Sequence, residues 1–152
     1  MRRGLPDDAD LIASLENEIF LDESFNELTL RRAIEQGICW VEEKEGQLVA
    51  YILCLLDGPL LDIVRLGVRS PFEGQGIASR LLYKMLREYP DVMLCVRKKN
   101  HRALLLYLYV GFQVVGELES SWVMRRLSHH LRDELVPSGT SVARGPVRSL
   151  SG

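Results

Sequence analysis

Sulfur that could cross-link the chain is scarce. Cys39, Cys54 and Cys95 are the three cysteines, odd in number and far apart. That argues against a disulfide framework, and no cysteine spacing suits a metal. Histidine is equally sparse: neighbouring His129 and His130 and the lone His101 do not assemble a zinc set. No apolar run approaches the roughly 18 residues that suggest a membrane span. The longest candidate, residues 48–56, has the length of a strand. The basic start, Arg2-Arg3, is followed by Asp7, Asp8 and Asp10, which is no secretory signal. These absences predict a cytoplasmic protein with no metal and no membrane partner. Excess positive charge is missing too: the net charge is −2, and the C-terminal stretch offers only Arg132, Arg144 and Arg148. Nucleic acid is therefore not an expected partner.

What is present is an ordinary globular composition. The 152 residues are 47% apolar, with 12 glycines and 6 prolines, which suits one packed domain. Charge is placed unevenly. Residues 1–57 carry 5 basic and 13 acidic side chains, a net −8, whereas residues 58–127 carry 11 and 6, a net +5. Such a split can mark an anionic ligand on one side and a cationic one on the other.

Periodicity then orders the elements. Leu11, Ile12, Leu15 and Ile19 repeat at helical spacing, with Asp7 or Asp8 placed to cap the helix. A second helix is predicted over 27–36, stopped by Gly37. Strands follow over 38–43 and 47–56 around the turn Glu45-Gly46, and over 60–69 after Gly58-Pro59. A helix over 76–88 ends before Pro90. A strand over 92–97, a helix over 100–110 closed by Gly111, and a hairpin of 112–117 with 122–127 complete the order. From Pro137 onward apolar periodicity disappears, and a flexible tail is expected. The order predicts a mixed α/β domain over 1–127 with a largely antiparallel sheet, followed by an extension over 128–152.

The stretch Glu73-Gly74-Gln75-Gly76-Ile77-Ala78-Ser79 joins a strand to a helix. Its glycines let backbone N–H groups approach a ligand closely. They also open a helix whose first N–H groups lack partners and carry partial positive charge. Such a place can bind phosphate, or it can be only a turn.

This loop resembles the Arg/Gln-x-x-Gly-x-Gly/Ala motif of the GNAT superfamily of N-acetyltransferases. Gly76 and Ala78 match it, and Glu73 stands where the family has Arg or Gln. The segment Asn100-x-x-Ala103-x-x-Leu106-Tyr107-x-x-x-Gly111-Phe112 is similar to the family's second motif. Asn100, Ala103 and Tyr107 share one helical face. The order of elements over 1–127 also resembles the family's. The resemblance implies a GNAT fold with a twisted sheet, one splayed strand pair and flanking helices. It implies direct acetyl transfer from acetyl-CoA, as cosubstrate, to a primary amine. The pyrophosphate would rest on Gly74, Gln75, Gly76, Ile77, Ala78 and Ser79, with Arg80, Lys84 and Arg69 placed to offset Glu73.

Leu66, Gly67 and Val68 would supply backbone N–H groups to the thioester carbonyl and the pantetheine arm, with Gly67 allowing an irregular backbone. Tyr107 would contact the cosubstrate and protonate the leaving sulfur. Asn100 would bond the arm, cap its helix, or both. Arg97, Lys98, Lys99 and Arg102 would face the phosphates. Asp22, Glu23 and Glu27 would attract a cationic amine, either a peptide or a small molecule.

The run Leu94-Cys95-Val96-Arg97 is similar to a segment of ribosomal-protein alanine N-acetyltransferases in which a glutamate is the base. Here that position is Cys95, which a small core residue also explains. The base is then a water chain, Glu117 or an acid of the 21–25 loop. Glu73 and Cys95 together leave a second reading, a catalytically weak acyl-CoA-binding module. Whether the chain is a monomer or a dimer is not decided by sequence.

Overall fold

Between Lys44 and Gln47 the chain reverses through Glu45 and Gly46, at φ 54° and 78°. Two consecutive positive φ values match the right-handed twist of the strands they join, which is why a glycine stands here. This turn connects β2 (Ile38–Lys44) to β3 (Gln47–Asp57). A computed structural model describes residues 1–128. The expected tail from 137, and nearly all of the extension, lie outside the described residues.

The other elements are β1 (Arg2–Arg3), α1 (Ala9–Phe20), α2 (Glu27–Gln36), β4 (Leu60–Val68), α3 (Ile77–Glu88), β5 (Asp91–Arg97), α4 (His101–Tyr109), β6 (Gln113–Glu117) and β7 (Ser121–Leu127). The seven strands of the described residues form one sheet in the order β1-β2-β3-β4-β5-β7-β6. Every neighbouring pair is antiparallel except β4 and β5. That pair is parallel because α3 carries the chain back across the sheet between them. The predicted fold class is the observed one.

Each face of the sheet buries two helices. Leu81, Leu82 and Met85 of α3 and Ala103 and Tyr107 of α4 pack on one face, against Ile52, Ile63, Leu66 and Leu94. Ile12 and Leu15 of α1 and Leu30 and Ile34 of α2 pack on the other, against Tyr51 and Leu53. The stripe of α1 is rotated from the expected one. Leu11 is exposed, while Glu16 and Phe20 are buried, so the inward set runs 12, 16, 20 at i, i+4 spacing. Asp8 occupies the N-cap position of α1 without capping it. Its carboxylate instead accepts the Leu5 N–H at 2.7 Å and pairs with Arg2. In α2, Asn26 caps the Thr29 N–H at 2.8 Å.

Candidate active site

After Val68 the backbone leaves the sheet through one tight turn at Ser70–Phe72 and reaches α3. Gly74 and Gly76 adopt φ 80° and 79° there. A Cβ on Gly74 would meet nothing, and one on Gly76 would meet only the Arg80 guanidinium. These glycines are required by left-handed backbone, not by packing. Gly76 caps α3 with no side-chain hydrogen bond, and the first backbone bond of the helix is Arg80 N–H to the Gly76 carbonyl at 3.0 Å. The N–H groups of Ile77, Ala78 and Ser79 therefore have no partner within the helix. They border a cavity of about 180 Å³, with Val68, Phe72 and Glu73 beside them and Arg102, Ala103 and Leu106 of α4 opposite.

Glu73 is neutralised from an unexpected direction. Its Oε2 accepts from Arg102 Nη1 at 2.7 Å. The cations expected to offset it are engaged elsewhere. Arg69 bonds Glu18 at 2.8 Å, Arg80 donates to the Gln75 carbonyl at 3.1 Å, and Lys84 pairs with Glu88 at 2.8 Å. Nor does the basic run 97–99 reach this cavity. Arg97 pairs with Glu23 and Lys98 with Glu117, leaving Arg102 as the cation that lines the cavity among the described residues.

Beside the loop the sheet opens. β4 pairs with β5 only from Leu61↔Val92 to Ile63↔Leu94. Beyond that point β4 stays with β3 and β5 stays with β7. Leu66, Gly67 and Val68 thus lie on a stretch of β4 with no strand of the described residues on its β5 side. Gly67 itself is regularly paired with Tyr51; the irregularity falls between Leu53 and Cys54, where Val64 is the extra residue. The reason for Gly67 is close approach: a Cβ would lie 3.1 Å from the Phe20 ring and 3.2 Å from Ile19.

Tyr107 is fully buried in the core on the α3–α4 face of the sheet. Its ring meets Phe112 edge-on with centroids 5.7 Å apart. Burial, with the Cys54 thiol nearby, raises its pKa well above that of an ordinary phenol. Cys54 is the register partner of Ile63, the last β4 residue paired with β5. Tyr107 thus shares a core cluster with Cys54, Ile63 and Leu94, the residues at which the strands separate. Its hydroxyl is a buried polar group with no hydrogen-bond partner among the described residues. A lone hydroxyl of this kind in an apolar setting is costly unless something fills the need.

A second cavity, about 480 Å³, lies against the end of α1. Ile19, Leu21, Asp22 and Glu23 form one wall, and Arg97, Lys99 and Asn100 the other. Asn100 also caps α4 through the Ala103 N–H at 3.1 Å. Glu27, by contrast, pairs with Arg31 in α2. Cys95 is buried with Leu60, Met93 and Val123.

The α1–α2 connection is held by a network that sequence reading missed. Arg65 is 2% exposed, bonds Glu16 at 3.0 Å, and lies 4.3 Å from the ring centroids of both Phe20 and Phe25. It also donates to the Glu23 carbonyl. Glu16 further accepts the Tyr51 hydroxyl and, at 2.9 Å, the Phe25 N–H. Two signals were available: an arginine amid the apolar run of β4, and a glutamate at i, i+4 from Ile12.

A model of the acetyltransferase (GNAT) family matches residues 9–112. The chain belongs to that family. Among GNAT relatives, N-acetyltransferase 8B of Mus musculus is 36% identical over 101 residues, which is 59% of this chain and 44% of that protein. N-acetyltransferase 8 of Rattus norvegicus is 37% identical over 89 residues, 51% of this chain and 40% of that protein. The matches thus span less than half the length of these relatives. Among solved GNAT-like structures, the ribosomal-protein alanine N-acetyltransferase of Escherichia coli superposes with a TM-score of 0.72 at 17% identity, covering 80% of this chain and 89% of that one. Arabidopsis thaliana NAA60 with a bisubstrate analogue gives 0.72 at 15% identity, covering 84% and 97%. PaiA N-acetyltransferase of Thermoplasma acidophilum with coenzyme A gives 0.68 at 14% identity, covering 83% and 96%. At such identities these likenesses are of the GNAT fold.

Of the residues singled out from sequence, Val68, Gly74, Gly76, Ile77, Ala78 and Ser79 converge on the first cavity. Leu66, Gly67, Gln75, Asn100 and Tyr107 do not line it. Leu66 and Gly67 belong to the free stretch of β4, and Asn100 to the second cavity.

Proposed function

We propose that this chain is an acetyl-CoA-dependent N-acetyltransferase that passes an acetyl group directly to a primary amine. Family membership supports acyl transfer. The observation that carries the finer reading is the buried Tyr107 hydroxyl, without a hydrogen-bond partner among the described residues, in the core cluster that also holds Ile63 and Leu94 at the β4–β5 opening. A thioester sulfur placed there would meet a buried hydroxyl that lacks a partner among the described residues. The coenzyme A bound by the Thermoplasma neighbour and the bisubstrate analogue bound by the Arabidopsis one accord with this reading.

Acetyl-CoA supplies an activated acyl thioester; the chain supplies position and protons. The N–H groups of Gly74 through Ser79 would hold the pyrophosphate at the positive end of α3. The free stretch of β4 at Leu66–Val68 would pair with the extended pantetheine arm and offer an N–H to the thioester oxygen, stabilising the charge that develops there. Tyr107 would hold a proton for the departing sulfur; its raised pKa keeps it protonated at neutral pH. Asp22 and Glu23 would draw a cationic amine into the second cavity. Glu23 and Glu117 are each engaged by a cation, so the drawn amine would give its proton to water before attacking as the neutral nucleophile. Residues 1–127 would form the catalytic domain, acting in the cytoplasm.

A second reading, an acyl-CoA-binding module with weak turnover, is favoured by Glu73 beside the loop and by Cys95 where related enzymes have a glutamate. Release of free CoA, measured over a panel of peptides, polyamines and amino acids, separates the two. Turnover on any amine supports the enzyme; tight acetyl-CoA binding without turnover supports the module.

A further inference from the structure

We propose that Arg102 and Glu73 form an exchangeable pair across the glycine-loop cavity, Arg102 leaving Glu73 for the pyrophosphate of CoA. The inference rests on the acetyl-CoA reading above.

Among the described residues, Glu73 and Arg102 are the two charged ones that line the cavity. They come from opposite walls: Glu73 precedes Gly74 on the loop, and Arg102 lies in the first turn of α4. Their 2.7 Å bond cancels the charge of the cavity. The side chains are 42% and 66% exposed, so water screens the pair and it opens easily. A pyrophosphate offers a guanidinium more negative charge and more acceptor oxygens than one carboxylate does, in a geometry suited to a forked donor. The same anion is repelled by Glu73. Nearby Arg69, Arg80 and Lys84 are each held by another group. Glu73 therefore acts against CoA and Arg102 acts for it, although the two are bonded to each other in the free protein. Glutamine at position 73, one of the residues the family motif carries, would remove the competitor and leave Arg102 free for phosphate.

Opposite signs are the signature of exchange. Calorimetric titration of CoA into the whole chain is the test, with circular dichroism verifying that each variant folds. Glu73→Gln should tighten Kd by about 3–10-fold and Arg102→Ala should weaken it by about 5–20-fold, the range of one charge-assisted contact at a partly exposed site. The double variant should bind CoA more tightly than Arg102→Ala, because the repelling carboxylate is gone too, and less tightly than Glu73→Gln. Dephospho-CoA, which keeps the pyrophosphate and lacks the 3′-phosphate, should show the same shifts. Weakening by both single variants would make the pair a structural brace and overturn the proposal. So would an unchanged Kd in Arg102→Ala. Shifts that vanish with dephospho-CoA would move Arg102 to the 3′-phosphate and overturn the pyrophosphate assignment. A wild-type chain that takes up no CoA overturns the acetyl-CoA reading itself, a result distinct from the others.

Discussion

Arg65→Met removes the guanidinium at the centre of the buried network while keeping an unbranched apolar stem. The substitution deletes the 3.0 Å bond to Glu16 and the two ring contacts at 4.3 Å. It also strands Glu16, which is 0% exposed, with only the Tyr51 hydroxyl and the Phe25 N–H as donors. Removing one partner of a buried ion pair costs about 3–5 kcal/mol. An unfolding entropy of about 2.1 cal/mol/K per residue, over the 128 described residues, gives roughly 0.27 kcal/mol/K. The expected fall in Tm is therefore roughly 11–19 °C. Thermal melts followed by circular dichroism at neutral pH measure it. The double variant Arg65→Met/Glu16→Leu should recover most of the loss, because it leaves no lone carboxylate. Its residual deficit should be about 1–3 kcal/mol, from the Tyr51 hydroxyl and Phe25 N–H left without an acceptor. A fall of less than about 3 °C in the single variant would refute the reasoning. It would mean that Glu16 reaches water at little cost and that the network does not hold the α1–α2 connection.

Tyr107→Phe should lower turnover by about 100-fold or more, while CoA affinity by calorimetry changes little; unchanged turnover removes Tyr107 from the acid role. Gly67→Ala pushes a methyl into the Phe20 ring and should destabilise by about 1–3 kcal/mol in urea titrations, and a neutral result would mean that α1 shifts freely. Stability should fall as pH rises past about 9. Burial raises the Cys39 thiol to about 12 and lifts Cys54, Tyr51 and Tyr107 as well. Groups raised in the folded state contribute stability that is complete below their unfolded pKa and lost as pH climbs towards the folded one. Cys39→Ala should flatten the part of that decline between about pH 8.5 and 12; an unaltered slope would refute the assignment.

Secondary structure was legible where local chemistry decides it. Gly37, Glu45-Gly46, Gly58-Pro59 and Pro90 mark boundaries through backbone restrictions that act within a few residues. The loop from Gly74 to Ser79 was legible for the same reason. The charged groups were not, because their partners lie far away in sequence. Glu73 finds Arg102, Glu18 finds Arg69, and Arg97 finds Glu23, at separations of 29, 51 and 74 residues. Nearby cations looked like candidates for Glu73 only because they were close in the chain. Gly67 shows the same limit: its neighbours are residues 19 and 20, and no local pattern announces a glycine kept small for a distant ring.

The uneven charge of the sequence has a use inside the molecule. Glu16, Glu18, Glu23 and Glu42 of the acidic half bond or pair with Arg65, Arg69, Arg97 and Arg80 of the basic half. As the chain collapses, residues 1–57 and 58–127 therefore behave as two oppositely charged polymers. Their mutual attraction should speed encounter before any side chain is seated, an effect whose reach salt at about 0.1–0.15 M shortens to about 8–10 Å. A charge reversal on either half would accordingly be felt first as slower assembly, even where the finished fold tolerates it.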